Sequence, residues 1–329
     1  MDCKEALEAK PRVDFLQYLE TNMSLYIMSL LHDPADLVRA TSVSRFWRQF
    51  VIENGFAKEL CLKTFSGSSN ILGTVNQSKG RKWDSSLQTD HDHEVYAALL
   101  YAFQKSEVSP FCLISKGISA SSTSSNNSIA ETMNSSYYKS TYWSSNGHSN
   151  TNVPETLTYK ILRGTMAITQ IDVSPLPAEG SPFTFSAKSV RFIVGHSKSP
   201  RKNETDPIAD DEIEWTYTSP EFPMKHGRSM MQVFKLSQPI LCFDGYLKIE
   251  LLGRVQRDQK DGLFYIRVDH VGVRGHCLLP AFNAKILQRY GKPLLFYNPD
   301  KLGVVFKINQ RYRQPSYTSG RVFKAIRQF

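Results

Sequence analysis

The sequence is poor in cysteine and has no arrangement of it that chemistry could use. Cys3, Cys61, Cys112, Cys242 and Cys277 are five in number, scattered, and never spaced Cys-x-x-Cys. That spacing argues against a disulfide framework and a structural zinc site, and leaves reduced, mostly buried thiols. Long apolar runs are also missing. No stretch approaches the ~18 residues that a membrane-spanning helix needs. Asp2, Lys4, Glu5, Glu8, Lys10, Arg12 and Asp14 interrupt every apolar stretch ahead of Phe15, so no secretory signal is read there. An intracellular protein, cytoplasmic and/or nuclear, without a membrane partner is expected. Asn134-Ser135-Ser136 and Asn203-Glu204-Thr205 are then chance matches to a glycosylation triplet. Catalytic signatures are missing as well: there is no nucleophile elbow, no dinucleotide fingerprint, and no Gly-Lys-Ser/Thr after Gly73 or Gly80. Neither an enzyme nor a cofactor is expected.

The chain has 329 residues, 41% of them hydrophobic and 12% aromatic, which are globular values that allow one to three domains. Residues 12–65 contain no glycine before Gly55 and carry apolar residues at helical spacing. Residues 66–109 read as a linker loop, basic at Lys79, Arg81 and Lys82, followed by a helix over 91–106. Residues 110–297 alternate apolar and polar positions, with a Ser/Asn-rich insert at 119–152 that reads as a surface loop or a locally disordered segment. The net charge of +9 is concentrated at 298–329, where Lys301, Lys307, Arg311, Arg313, Arg321, Lys324 and Arg327 meet no acidic residue after Asp300. No nucleic-acid motif accompanies that charge, so a solvated basic tail is the expectation rather than a nucleic-acid partner.

Leu19, Met23, Ile27, Leu30 and Leu31 recur at three- and four-residue steps, with Thr21 or Asn22 placed to cap the helix. His32-Asp33-Pro34 breaks it, and Pro34 suits the first turn of the next helix. Leu37, Ala40, Val43 and Trp47 give that second stretch its apolar face. Helices this short are marginal alone, so their faces must be covered by the chain or by a partner. The run from Leu19 to Leu31, then Asp36-Leu37, Val43-Ser44-Arg45 and Phe46-Trp47-Arg48, resembles the F-box. It departs from that motif at Glu20, which replaces a proline, at Ser44, which replaces a cysteine, and by one extra residue before Asp36. The resemblance implies docking to a Skp-type adaptor of a cullin–RING ubiquitin ligase. Leu19, Met23, Ile27, Met28 and Leu31 are the implied contacts, while Leu37, Val43 and Trp47 serve either contact or the local core.

Leu157–Ile161, Val190–Val194, Leu247–Leu251 and Phe264–Val268 alternate with period two between turn residues, which predicts strands with one buried face. No helical pattern separates them, so an α+β chain is expected: helices first, then an antiparallel β-sandwich or jelly roll. The apolar phase slips after Val268, which predicts a β-bulge near Asp269–His270, with His270 a strand residue. Asp90-His91-Asp92-His93-Glu94 contains metal-ligand types, but Asp90 as N-cap with acids in the first turn is the simpler reading, and no metal is expected. The order Ile118–Thr123, Tyr142–Ser145, Glu155–Tyr159 resembles discoidin-like, galactose-binding-type sandwiches. Trp215–Phe222 and Leu251–Arg254 resemble a group of plant F-box proteins. Ligand candidates are Tyr142, Trp143, Trp215 and Tyr217, whose spacing also fits core aromatics, and Arg254 and Arg257, which either grip an acidic ligand or decorate a solvent edge. The function expected is a substrate-recognition adaptor that brings an unidentified client to the ligase. The alternative is a lectin-like module acting without the ligase.

Overall fold

The structure is a computed structural model that describes residues 14–71, 73–77, 85–109, 111–124, 127–133, 141–178, 183–199, 208–227, 231–287 and 290–311. Four short helices begin it: α1 (Thr21–Ser29), α2 (Pro34–Ala40), α3 (Arg45–Glu53) and α4 (Phe56–Thr64). The break at Pro34 is present, and Asp33 caps α2 by accepting from the Ala35 N–H at 2.8 Å. Ser44 caps α3 by accepting from the Trp47 N–H at 3.2 Å. Gly55 turns α3 into α4 at φ 64°, left-handed backbone that a side chain would strain.

A strand, β1 (Gly73–Asn76), and a 21-residue helix, α5 (Ser85–Lys105), follow. The helix starts earlier than the sequence reading placed it, because nothing between Ser85 and Asp90 breaks a helix. Asp90 is therefore inside α5 rather than its cap, and its carboxylate instead accepts from Arg48 at 3.1 Å.

Next come β2 (Ile114–Ala120), β3 (Trp143–Ser144), β4 (Glu155–Ile161), β5 (Thr165–Pro175), β6 (Ala187–Ser197), β7 (Ile213–Thr218) and β8 (Phe222–Pro223). They are followed by β9 (Gln232–Phe243), β10 (Tyr246–Arg254), β11 (Gln256–Arg257), β12 (Phe264–Tyr265) and β13 (Arg267–Cys277). Two sheets form an antiparallel sandwich: β2-β4-β10-β6-β7, with β8 also on β6, faces β3-β13-β5-β9. Tyr159, Phe192 and Ile249 of one sheet meet Ile171, Val271 and Val273 of the other in a buried core. The register slips between Val268 and His270, where the apolar phase predicted it.

Three segments differ from their sequence reading. The expected linker holds β1, which pairs in parallel with β15 (Lys292–Tyr297); β14 (Phe282–Leu287) completes that small sheet, separate from the sandwich. The expected basic tail begins with α6 (Leu302–Arg311), whose Val305 is fully buried. In the Ser/Asn-rich insert, Ile129, Thr132, Trp143 and Ser145 are buried, because a Ser-rich chain can still bury its few large side chains when backbone and hydroxyls find partners. Residues 125–126 and 134–140 of it lie outside the described residues.

A second core joins the helices to the sandwich. Met28, Leu37, Val51 and Phe56 pack with Val95, Leu99 and Leu100 of α5, and with Ala167, Leu241 and Phe243, which β5 and β9 turn away from the sandwich interior. Backbone bonds reinforce the joint: Ser66 N–H donates to the Pro239 carbonyl and Leu241 N–H to the Ser66 carbonyl, both at 2.9 Å. At its other end Ser106 Oγ lies 2.9 Å from His276 Nδ1, and the His276 ring packs on Phe103. The second core holds side chains of the helices, of β5 and β9 and of the small sheet together, which implies one cooperative unit. Chemical denaturation followed by helix circular dichroism and by tryptophan fluorescence should give coincident transitions, and Leu99→Ala should shift both together by about 2–5 kcal/mol.

Candidate docking face and sandwich surface

The N-terminal helices are anchored by one carboxylate. Asp14 accepts from Ser44 Oγ at 2.7 Å, from Trp47 Nε1 at 2.7 Å and from Gln17 Nε2 at 3.1 Å. The Ser44 hydrogen bond, with smaller contributions from Trp47 and Gln17, holds its carboxyl below the usual aspartate range against an opposing desolvation. Phe15 meets the Trp47 ring edge-on at 5.4 Å. Trp47 is therefore committed to the local fold by its indole N–H and its face. Asp14 was read in the sequence only as a charge that breaks an apolar stretch; nothing in its neighbourhood there signalled a partner 30 residues on.

The anchored turn sets which side of α1 faces out. Met23, Tyr26 and Leu30 are exposed and Ile27 is half-buried, the i, i+3, i+4, i+7 positions of one helical face. Leu19 is exposed and Tyr18 more so, at 80%. Met28 was expected among the contacts, yet it is 1% exposed and sits in the second core. Leu37 is equally buried, so neither it nor Met28 can lead a contact from outside, whereas Leu31 is half-buried and packs against the same core. Val43 remains exposed, as does Phe46 beside it. Tyr18 and Tyr26 were missed; their signal was their place one helical step from Met23 and beside Leu19. Glu20 is exposed next to Leu19 at the helix N-terminus, where the dipole tolerates a carboxylate.

The sandwich candidates do not converge. Trp143 is wholly buried, with its indole N–H donating to the Ser122 carbonyl at 3.1 Å, while Tyr142 next to it is half-buried. Tyr217 packs against the sandwich core, and burial raises its pKa. Trp215, on the same edge strand, instead carries the Lys248 ammonium 4.5 Å over its ring. The register shift in β6–β7 between Val194 and Gly195 separates the two. Arg257 is exposed and lies over Phe264 at 4.9 Å. Arg254 is no ligand grip: its side chain is 1% exposed and forms an ion pair with Glu155, 4% exposed. Its remaining donors reach the carbonyls of Val153, Asn146 and Phe264 and the Ser145 hydroxyl. Glu155 also accepts from Ser121 and Ser122. This network ties the insert to the ends of β4 and β10.

Among the described residues no cluster of three or more His, Cys, Asp or Glu could hold a metal ion. Asp92 of the acidic run accepts from Thr74 at 2.5 Å and so secures β1 to α5. No described helix is long and apolar enough to cross a membrane.

Residues 21–63 match the F-box-like family. The chain is 36% identical over 321 residues to F-box protein At4g00755 of Arabidopsis thaliana, spanning 88% of this chain and 84% of that protein. Among solved structures, a carbohydrate-binding module from a family 31 glycoside hydrolase of Clostridium perfringens is 16% identical, covering 49% of this chain and 90% of its own, with a TM-score of 0.34. The module of C. perfringens NanJ in complex with galactose is 12% identical, covering 47% and 90%, with a TM-score of 0.32. Similarity this distant transfers no ligand.

Two outcomes follow from this geometry. Arg254→Met leaves the Glu155 carboxylate buried without its cation, and should cost about 3–5 kcal/mol in urea unfolding, part of which Arg254→Met/Glu155→Leu should recover. Because the folded pKa of Asp14 is depressed, its contribution is present above the ordinary carboxylate range and is lost as pH falls through the folded value. The difference in melting temperature between the parent and Asp14→Asn should therefore be largest near neutral pH and shrink in acid.

Proposed function

Because the chain belongs to the F-box protein family, we propose that it is the substrate-recognition subunit of a Skp–cullin–F-box ubiquitin ligase. The observation that carries the reading is the outward apolar face of α1, Met23, Tyr26, Ile27 and Leu30, inside the segment that matches the F-box-like family. Covering such side chains contributes about 1.5–3 kcal/mol each, enough together to hold a partner after association costs. Leu19 and Tyr18 extend the face, and Val43 adds to it from the turn before α3. The sandwich presents a client, and the protein supplies position rather than chemistry. It is a non-catalytic subunit that works in the cytoplasm and/or nucleus.

Co-purification of the full chain with a Skp-type adaptor, beside Met23→Asp/Ile27→Asp, tests the proposal. Both side chains lie outside the cores, so the variant should melt with the parent yet lose the complex, since two charges would be buried without partners. Failure of the parent to bind would leave the sandwich as a free-standing ligand-binding module.

A further inference from the structure

The two faces of the small sheet differ. Phe282, Leu295 and Tyr297 turn into the second core beside α5. Strand alternation turns Asn283, Lys285 and Phe296 the other way, where both polar side chains are exposed and Phe296 is half-buried. Asn283 and Phe296 are register partners on that face. Together with Gln77, Pro280, Asn298 and Lys301 they line a cavity of about 290 Å³. That is small for a drug-sized guest and sufficient for a single phosphate or carboxylate group.

Backbone bonds fix the rim. Gln77 N–H donates to the Tyr297 carbonyl and Asn298 N–H to the Ala281 carbonyl, both at 2.8 Å. The two asparagine side chains are oriented in the same manner. Asn283 Oδ1 accepts from the Ala284 N–H at 2.8 Å, and Asn298 Oδ1 from the Asp300 N–H at 3.1 Å. With the oxygens engaged, the groups left without a partner among the described residues are the two amide nitrogens. An amide nitrogen donates and cannot accept.

The charge has one sign. Lys301 is the charged member of the described lining, and it forms no ion pair with any described residue. Lys285 brings a second positive charge to this face, its ammonium 5.3 Å over the Phe296 ring. Asp300 precedes Lys301 in sequence but does not line the cavity. Gln77 can present either end of its amide; the other polar groups offer donors and positive charge. A cation finds no carboxylate here, whereas an oxyanion meets charge-assisted donors.

We infer that this cavity binds a small oxyanion, the phosphate or carboxylate group of a soluble ligand, held by Asn283 Nδ2, Asn298 Nδ2 and the Lys301 ammonium. The site shares no residue with the outward face of α1.

The test uses the full chain with its asparagines selectively labelled with nitrogen-15, so that NMR follows their side-chain NH2 signals. Inorganic phosphate and acetate are the probes, each titrated at constant ionic strength against sodium chloride. Both NH2 signals should shift saturably with at least one of the two anions and not with chloride. Tighter phosphate assigns a phosphoryl ligand, and tighter acetate a carboxylate one. Asn283→Asp and Asn298→Asp keep the oxygen that each backbone N–H uses and replace only the nitrogen, so both should melt as the parent does. Each should bind the anion at least about tenfold more weakly. Lys301→Gln should weaken it about 3- to 10-fold, while Lys235→Gln, an exposed lysine on β9, should leave it unchanged. Where an Asp variant does not melt as the parent does, the two lysine variants decide. The inference is overturned if neither anion shifts the signals beyond chloride, or if folded Asp variants bind as the parent does. It is equally overturned if Lys235→Gln weakens binding as much as Lys301→Gln, which would mean general attraction to a basic chain.

Discussion

Everything in this protein depends on one sheet face that cannot be left wet. In β5 and β9, Ile168 and Ile240 point into the sandwich, while Ala167, Leu241 and Phe243 point out of it. Helices of seven to nine residues do not persist alone in water, so α1 to α4 need a surface as much as that surface needs a cover. Each therefore stabilises the other, and α5 lies between them as a spacer buried on its Val95, Leu99 and Ala102 side. The outward face of α1 follows from this arrangement. Once Met28 and Ser24 are turned into the joint, Met23, Tyr26 and Leu30 have nowhere to go but solvent.

Much of this was legible in the sequence, and what was not has identifiable causes. The break at Pro34 and the bulge after Val268 were readable because each rests on a strictly local rule: proline geometry in one case, period-two phase in the other. The inward and outward sides of α1 were not. Apolar residues at 23, 27, 28, 30 and 31 occupy most of a helix circumference, and only the partner surface decides which of them are core. Strand β1 escaped notice because four residues of Gly-Thr-Val-Asn carry no alternation, and their pairing partner is more than 200 residues away. The helix α6 was hidden by its basic surroundings, although Leu302, Val305 and Phe306 do follow helical spacing.

Charge reading was the least reliable guide. Arg254 was read as a ligand grip or a solvent-edge charge and Asp14 as a break in an apolar stretch, yet each organises a network spanning distant segments. A single sequence reports that a charge is present but not how many donors or acceptors surround it. The acidic run at 90–94 shows the same thing from the other side: Asp90 pairs with Arg48 while Asp92, two residues on, accepts from Thr74. Family membership and the outward face of α1 point the same way, because a face of that size on so small a helical region is otherwise a solubility liability.

The parallel pairing of β1 with β15 has a consequence for how such a protein can change over time. Adaptors are often imagined as a docking cassette joined by a tether to an exchangeable reader. Here the segment just after the four N-terminal helices is hydrogen-bonded, at Gly73 to Asn76, to a strand that follows the sandwich, at Leu294 to Tyr297. The segments on either side of the sandwich are joined in one sheet. A new reader grafted after α5 would arrive without its matching strand, and the old cassette would lose the sheet it leans on. Substitutions in loops and exposed faces leave this pairing intact, whereas exchange of everything after α5 removes it.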